Sequence, residues 1–143
     1  MNKMQVVAQL QIDEGFAPQS FWDNDQWTYG WGCKAPGPGA FISKEKALPI
    51  LVERVQSAID DFYDIYAGCV MSEAREHALV NMCFNLGETK LRKFKKMNKA
   101  IRANDWEEAA LEAQDSSWFE QLSAPDNGKE ERAERIVQEL REG

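Results

Sequence analysis

The segment Ile12–Gly32, IDEGFAPQSFWDNDQWTYGWG, decides how the rest of the chain is read. An acidic residue is followed at once by glycine (Glu14, Gly15), a second acid comes nine positions later (Asp23), and a threonine five beyond that (Thr28) lies in an aromatic, glycine-rich run. Two carboxylates held near each other by a short rigid segment suit hydrolysis of a glycosidic bond. In that reaction one group protonates the leaving oxygen and the other handles water or the sugar cation.

On the N-terminal side the spacing predicts a helix over residues 3 to 14. Met4 pairs with Val7 and Val6 with Leu10, Asn2 can cap the start, and Gly15 stands where a left-handed C-terminal residue is favoured. Glu14 then occupies the last turn, where the negative end of the helix dipole disfavours a carboxylate and should raise its pKa, as suits a general acid. An exposed glutamate before a turn is the plainer alternative. From Phe16 to Gly32 the period changes to two: Trp27, Tyr29 and Trp31 alternate with Thr28, Gly30 and Gly32. This predicts a strand with one aromatic face and one bare face open to a ligand. Asn24, Asp25 and Gln26 are expected to turn the chain back from Phe21–Asp23, which places Asp23 near one end of the bare face. Beside Asn24 and Asp25, Asp23 reads equally well as a turn former; its spacing to Glu14 and Thr28 singles it out.

KAPGPGAF (34–41) is a Pro/Gly loop, after which Ser43 can cap a long helix striped by Leu48, Leu51, Val52, Val55, Ile59, Phe62, Tyr63 and Tyr66, with Pro49 expected to kink or restart it. Ser72 starts another helix whose second half is apolar nearly all round, the signature of a bundle centre. Asn81 and Asn85 inside it require hydrogen-bond partners. His77 reads as a partly exposed helix residue rather than a catalyst. After Gly87, KLRKFKKMNKAIR carries Leu91, Phe94, Met97 and Ile101 on one stripe and lysines and arginines elsewhere, either a solvated face or a cationic cleft wall. Asp105 and Glu108 suggest a capping box, Trp118 and Phe119 a short apolar segment, SAPDNGK (123–129) a loop, and Ala133, Ile136, Val137 and Leu140 a last amphipathic helix.

The chain has 143 residues, a formal net charge of −7 and 43% hydrophobic residues, which fits one soluble globular domain and argues against phosphate-driven nucleic-acid binding. Cys33, Cys69 and Cys83 are too few and too widely spaced for a disulfide framework or a metal site, and read as reduced thiols. A single histidine excludes a His-rich zinc centre. Gln5, Gln9 and Gln11 interrupt the N-terminal apolar residues, so neither a signal peptide nor a membrane span is expected.

Taken together and in order, IDEGF (12–16), FWD (21–23), WTYGWG (27–32), ALVNMCFNLGET (78–89), DWEEAA (105–110), SSWF (116–119) and RAERI (132–136) resemble the phage-type lysozymes, the muramidase endolysins of tailed bacteriophages and prophages. The resemblance covers almost the whole chain. It implies a mostly helical α+β fold in one catalytic domain, with a small hairpin lobe (about 12–48) joined by the long helix at 43–66 to a helical lobe (about 66–143 plus the N-terminal helix). It also implies cleavage of the β-1,4 bond between N-acetylmuramic acid and N-acetylglucosamine in peptidoglycan. Glu14 matches the family's catalytic acid, Asp23 its second carboxylate and Thr28 its catalytic threonine. Phe84 falls on a substrate-cleft position with Asn85 beside it, and Arg132 on the arginine that pairs with the catalytic glutamate. The turn between Asp23 and Thr28 is one residue shorter than usual, which leaves Asp25 as a fallback. Cys33 stands where many members have histidine, so the support of this lobe must differ. The implied protein is a monomer without cofactor or metal, held in the host cytoplasm until a separate holin-type pore admits it to the wall, and the lack of a wall-binding module suggests a thin-walled Gram-negative target. A lytic transglycosylase acting on the same bond, and a catalytically silent lysozyme-like glycan-binding or virion module, are the alternatives.

Overall fold

The computed structural model describes residues 1–124 and 129–143. The fold is mostly helical with one small antiparallel sheet, and the chain divides into two compact units, Asn2–Ser57 and Ala58–Gly143 together with Met1.

The first unit opens with α1 (Lys3–Glu14), bounded as its caps predict. The Asn2 side chain accepts the Gln5 N–H, and Gly15 at φ 66 returns its own N–H to the Gln11 carbonyl. Val6, Val7 and Leu10 are buried, whereas Met4, expected in the same stripe, is 58% exposed. Strands β1 (Ala17–Asp23), β2 (Gln26–Gly30) and β3 (Cys33–Lys34) form the sheet in that order. The turn is tighter than expected. Only Asn24 and Asp25 lie outside the ladder, Asn24 supplying the left-handed φ of 57, and Gln26 already pairs with Asp23. The Pro/Gly segment holds more order than a plain loop. Lys34 belongs to β3, the Ser20 hydroxyl donates to the Gly37 carbonyl and accepts from the Ala40 N–H, and Phe41 bridges to Gln19.

The expected bare face of β2 is not bare. Thr28 is 2% exposed, and a Cβ on Gly30 would sit 3.3 Å from the Ala47 methyl and 3.6 Å from an Ile42 methyl. The small residues of this face admit the chain's own next helix, so the room that the alternation predicts is filled by packing.

Helix α2 (Lys44–Ile65) begins at Ser43, whose hydroxyl accepts the Lys46 N–H, and runs through Pro49 unbroken. The ring removes the donor for the Glu45 carbonyl, but both residues are exposed, so water can satisfy that oxygen. The buried stripe runs Ala47, Leu51, Val55, Ala58, Ile59, Phe62, Ile65, Tyr66; Leu48 and Tyr63, counted in it from spacing, are 37% and 51% exposed. The boundary between the units falls inside this helix, after Ser57.

In the second unit, α3 (Glu73–Leu86) is capped by Ser72 and buries every residue from Ala78 to Cys83, as a bundle centre should. Leu79, Val80 and Met82 are fully buried, each stabilising the fold by roughly 1.5–3 kcal/mol over exposure. The basic stretch forms two helices, α4 (Glu88–Arg92) and α5 (Lys95–Arg102), with Leu91, Met97 and Ile101 buried and Phe94 half-buried at the break. Asp105 caps α6 (Trp106–Gln114), Ser116 caps α7 (Ser117–Leu122), and α8 (Glu130–Glu142) packs on α3 and α6 through Ala133, Ile136, Val137 and Leu140. The Trp118–Phe119 segment is thus helical. The expected SAPDNGK loop falls partly on residues 125–128, outside the described residues. No helix among the described residues is long and apolar enough to cross a membrane.

Candidate active site

Glu14 ends α1 because Gly15 turns the chain away through a positive φ. Its half-buried carboxyl rests against the glycine corner that follows β2. A Cβ built on Gly32 would lie 3.0 Å from Glu14 Oε1 and would push the carboxyl aside by a few tenths of an ångström, while the φ of 79 is what favours glycine there. The Trp31 ring, 7% exposed, packs on Phe16 at 4.9 Å between centroids. The Arg54 guanidinium donates from Nη1 to the Gly32 carbonyl at 3.1 Å and to the Trp31 carbonyl at 3.4 Å.

Asp23 and Thr28 share one face of the sheet. Asp23 pairs with Gln26 and Thr28 with Phe21, and directly opposed residues of an antiparallel pair point the same way, as do residues two apart on one strand. The Gln26 amide donates to the Thr28 hydroxyl at 3.4 Å on this face. Asp23 is exposed. Asp25, the fallback, sits in the turn outside the ladder, where its N–H donates to the Asp23 carbonyl. Gln26 of β2 faces Asp23, Thr28 follows two residues on, and Gly32 in the turn after β2 lies against Glu14.

In the helical unit α3 carries the remaining candidates. Phe84 and Asn85 are half-buried near its C-terminal end, and the Asn85 side-chain oxygen accepts the Trp118 indole N–H at 2.9 Å. Arg132, 3% exposed in the first turn of α8, donates from Nε to the Asn81 oxygen at 2.9 Å. The partners that the two asparagines demand are thus Trp118 and Arg132. Lys93, Lys95 and Lys96 line a cavity of about 480 Å³, but Glu112 and Asp115 line it too, so that wall is of mixed charge. Burial pushes the His77 pKa down against the opposing pull of Glu73 and Glu76. Burial likewise pushes the Cys33 thiol up, with Arg54 pulling the other way, and drives Cys83 up to about 12. The three cysteines are free thiols, and no group of three or more His, Cys, Asp or Glu among the described residues is arranged to hold a metal ion.

Residues 11–134 match the model of the phage lysozyme family, a span that holds Glu14, Asp23, Thr28, Phe84, Asn85 and Arg132. The chain belongs to the phage lysozyme family. Probable T4-type lysozyme 2 of Dictyostelium discoideum is 31% identical over 88 residues, covering 62% of this chain and 49% of that protein. The chain therefore spans about half the length of the curated relative it matches.

Three contacts around the candidate residues were not foreseen: Gly32 under Glu14, Arg54 on the corner, and Gln26 on Thr28. The positive-φ demand on Gly32 was legible only as one glycine in a glycine-rich run. Arg54, one position before Val55 in the α2 stripe, carries no local mark of a carbonyl partner more than twenty residues away.

Proposed function

We propose that the protein is a peptidoglycan hydrolase that cleaves the β-1,4 bond between N-acetylmuramic acid and N-acetylglucosamine with inversion. The observation that supports this reading is the set of contacts on β2 and the turn after it. Glu14 of α1 rests against Gly32 in that turn, Asp23 of β1 faces Gln26, and Thr28 shares the Asp23 face. Glu14 donates its proton to the leaving glycosidic oxygen. Asp23 accepts a proton from a water that Thr28 helps to orient, and that water attacks the anomeric carbon from the opposite face of the sugar. Inversion needs the two carboxyls roughly 6.5–9.5 Å apart to leave room for the water, against about 5 Å in a retaining pair.

Phe84 and Asn85, half-buried near the C-terminal end of α3 with the Asn85 oxygen accepting the Trp118 indole N–H, are the proposed sugar-contacting residues. The family assignment and this arrangement together favour hydrolysis over a silent glycan-binding role.

Digestion of purified peptidoglycan followed by mass spectrometry tests the reaction class. The expected product is muramic acid with a free reducing end, released by the wild type and not by Glu14→Gln. Predominantly anhydro-muropeptides, lighter by one water, would replace hydrolysis with transglycosylation and reduce Asp23 and Thr28 to structural roles. No product from the wild type on permeabilised cells or purified wall would leave a binding module.

A further inference from the structure

We propose that Arg54 is a positioning residue that fixes the Trp31–Gly32 corner and, through it, the carboxyl of Glu14. The inference rests on the reading of Glu14 as the general acid. One nitrogen, Arg54 Nη1, reaches the Gly32 carbonyl at 3.1 Å and the Trp31 carbonyl at 3.4 Å. These carbonyls belong to the peptide groups on either side of the Gly32 Cα. Holding both restrains φ and ψ of Gly32 at once, in the one residue type whose backbone is otherwise freest. Charge-assisted bonds from a guanidinium suit that task better than neutral ones.

Gly32 is in turn the surface against which Glu14 rests. A Cβ there would stand 3.0 Å from Oε1 and 3.4 Å from Cδ, so a small rotation of this glycine changes where the carboxyl can lie. Trp31 steadies the corner on its other side by packing on Phe16. Cys33, the residue after Gly32, donates its thiol to the Tyr29 carbonyl at 3.4 Å rather than to the corner. The charged support of the corner comes from α2 through Arg54. A misplacement of about 1 Å in a reacting group can cost on the order of a hundredfold in rate, which sets the size of the effect.

The test measures kcat and KM of Arg54→Ala and Arg54→Lys on soluble glycan fragments, with Glu14→Gln in parallel. Carbon and nitrogen NMR of the Gly32 amide and the Glu14 carboxyl accompanies the kinetics. Arg54→Ala is expected to lower kcat about tenfold to a hundredfold while KM stays within about threefold, because the lost interaction orients the acid rather than binding the sugar. The Gly32 and Glu14 resonances should move together, and millimolar guanidinium ion should recover part of kcat and return both signals toward wild type. Arg54→Lys, which can reach one carbonyl, should fall between, and it carries the test if the alanine variant does not fold. Wild-type kcat in the variants, a loss confined to KM, or Gly32 and Glu14 signals that do not move would each overturn the proposal. Full activity in Glu14→Gln would instead overturn the catalytic reading, and the NMR shifts would still decide whether Arg54 sets the corner.

Discussion

The sheet-bearing unit and the helical unit treat their polar groups in opposite ways. In the helical unit the buried polar side chains are bonded inside the core: Arg132 to Asn81, and Asn98 both to the Tyr66 hydroxyl at 2.7 Å and to the Leu91 carbonyl at 2.9 Å. In the sheet unit Thr28 is the buried polar side chain among the described residues, while Glu14 is half-buried and Asp23 exposed. The backbone around those carboxyls passes through positive φ at Gly15, Asn24, Gly30 and Gly32. The helical unit converts polar groups into stability, because an unbonded polar group in a core is costly. The sheet unit instead leaves its two candidate carboxyls at or near the surface, Asp23 exposed and Glu14 half-buried, as expected of a site. Mutations in the two units should therefore separate activity from stability.

The largest separation is expected at Glu14. Glu14→Gln should lower wall lysis by about 100-fold to 10,000-fold, the usual loss when a general acid is removed, without lowering the melting temperature. An amide keeps the shape and cannot donate the proton. Turnover within a few-fold of wild type would break the comparison on its functional side. Next in size, Asn81→Ala should cost roughly 1.5–3 kcal/mol in urea unfolding, since it removes the acceptor from the buried Arg132 Nε. If activity per folded molecule at low temperature fell as far as in Glu14→Gln, this polar pair would belong to the chemistry and not to the core.

The same contrast explains what could be read from the chain beforehand. Asn2, Ser72 and Asp105 bond to backbone N–H groups three residues on, and Gly15 closes on Gln11, so the ends of α1, α3 and α6 and the seat of Glu14 follow from local spacing. Asn81 and Asn85 announce that they need partners but not which ones. Arg132 and Trp118 lie 51 and 33 residues away, and only the packing of α7 and α8 brings them in. The filling of the Gly30 face by Ala47 and the holding of Gly32 by Arg54 are likewise tertiary facts, since a glycine signals permitted room without saying what enters it. Pro49 does not restart the helix, which runs through it as one element. Its penalty is mild where the orphaned carbonyl is open to water.

A finer test within the sheet unit compares Asp23→Ala with Asp25→Ala. The shortened turn leaves both acids close in sequence, but register puts Asp23 on the Thr28 face and Asp25 in the turn. Asp23→Ala should reduce lysis about tenfold or more below Asp25→Ala, since only the former removes the group that would take the water's proton. Equal losses, or a greater loss at Asp25, would mean that the turn rearranges when substrate binds.

The smallest effect falls on one exception in the helical unit. His77, half-buried on α3, has an Nε2 atom with no hydrogen-bond partner among the described residues, and burial lowers its pKa while Glu73 and Glu76 oppose the shift. A histidine whose folded pKa lies below its unfolded value of about 6.5 contributes stability above that pH, and the contribution is lost as pH falls through the folded pKa, because the unfolded chain takes up the proton first. Wild type should therefore lose stability on going from about pH 7.5 to about pH 5 slightly faster than His77→Gln, which has no imidazole to protonate. The ring keeps some access to solvent, so the difference should stay under about 1 kcal/mol. Urea midpoints of both proteins at the two pH values measure it as a double difference, which removes the titrations they share. A difference of the opposite sign would show that Glu73 and Glu76 outweigh burial and that this histidine, too, is stabilised in the helical unit as a charged and partnered group.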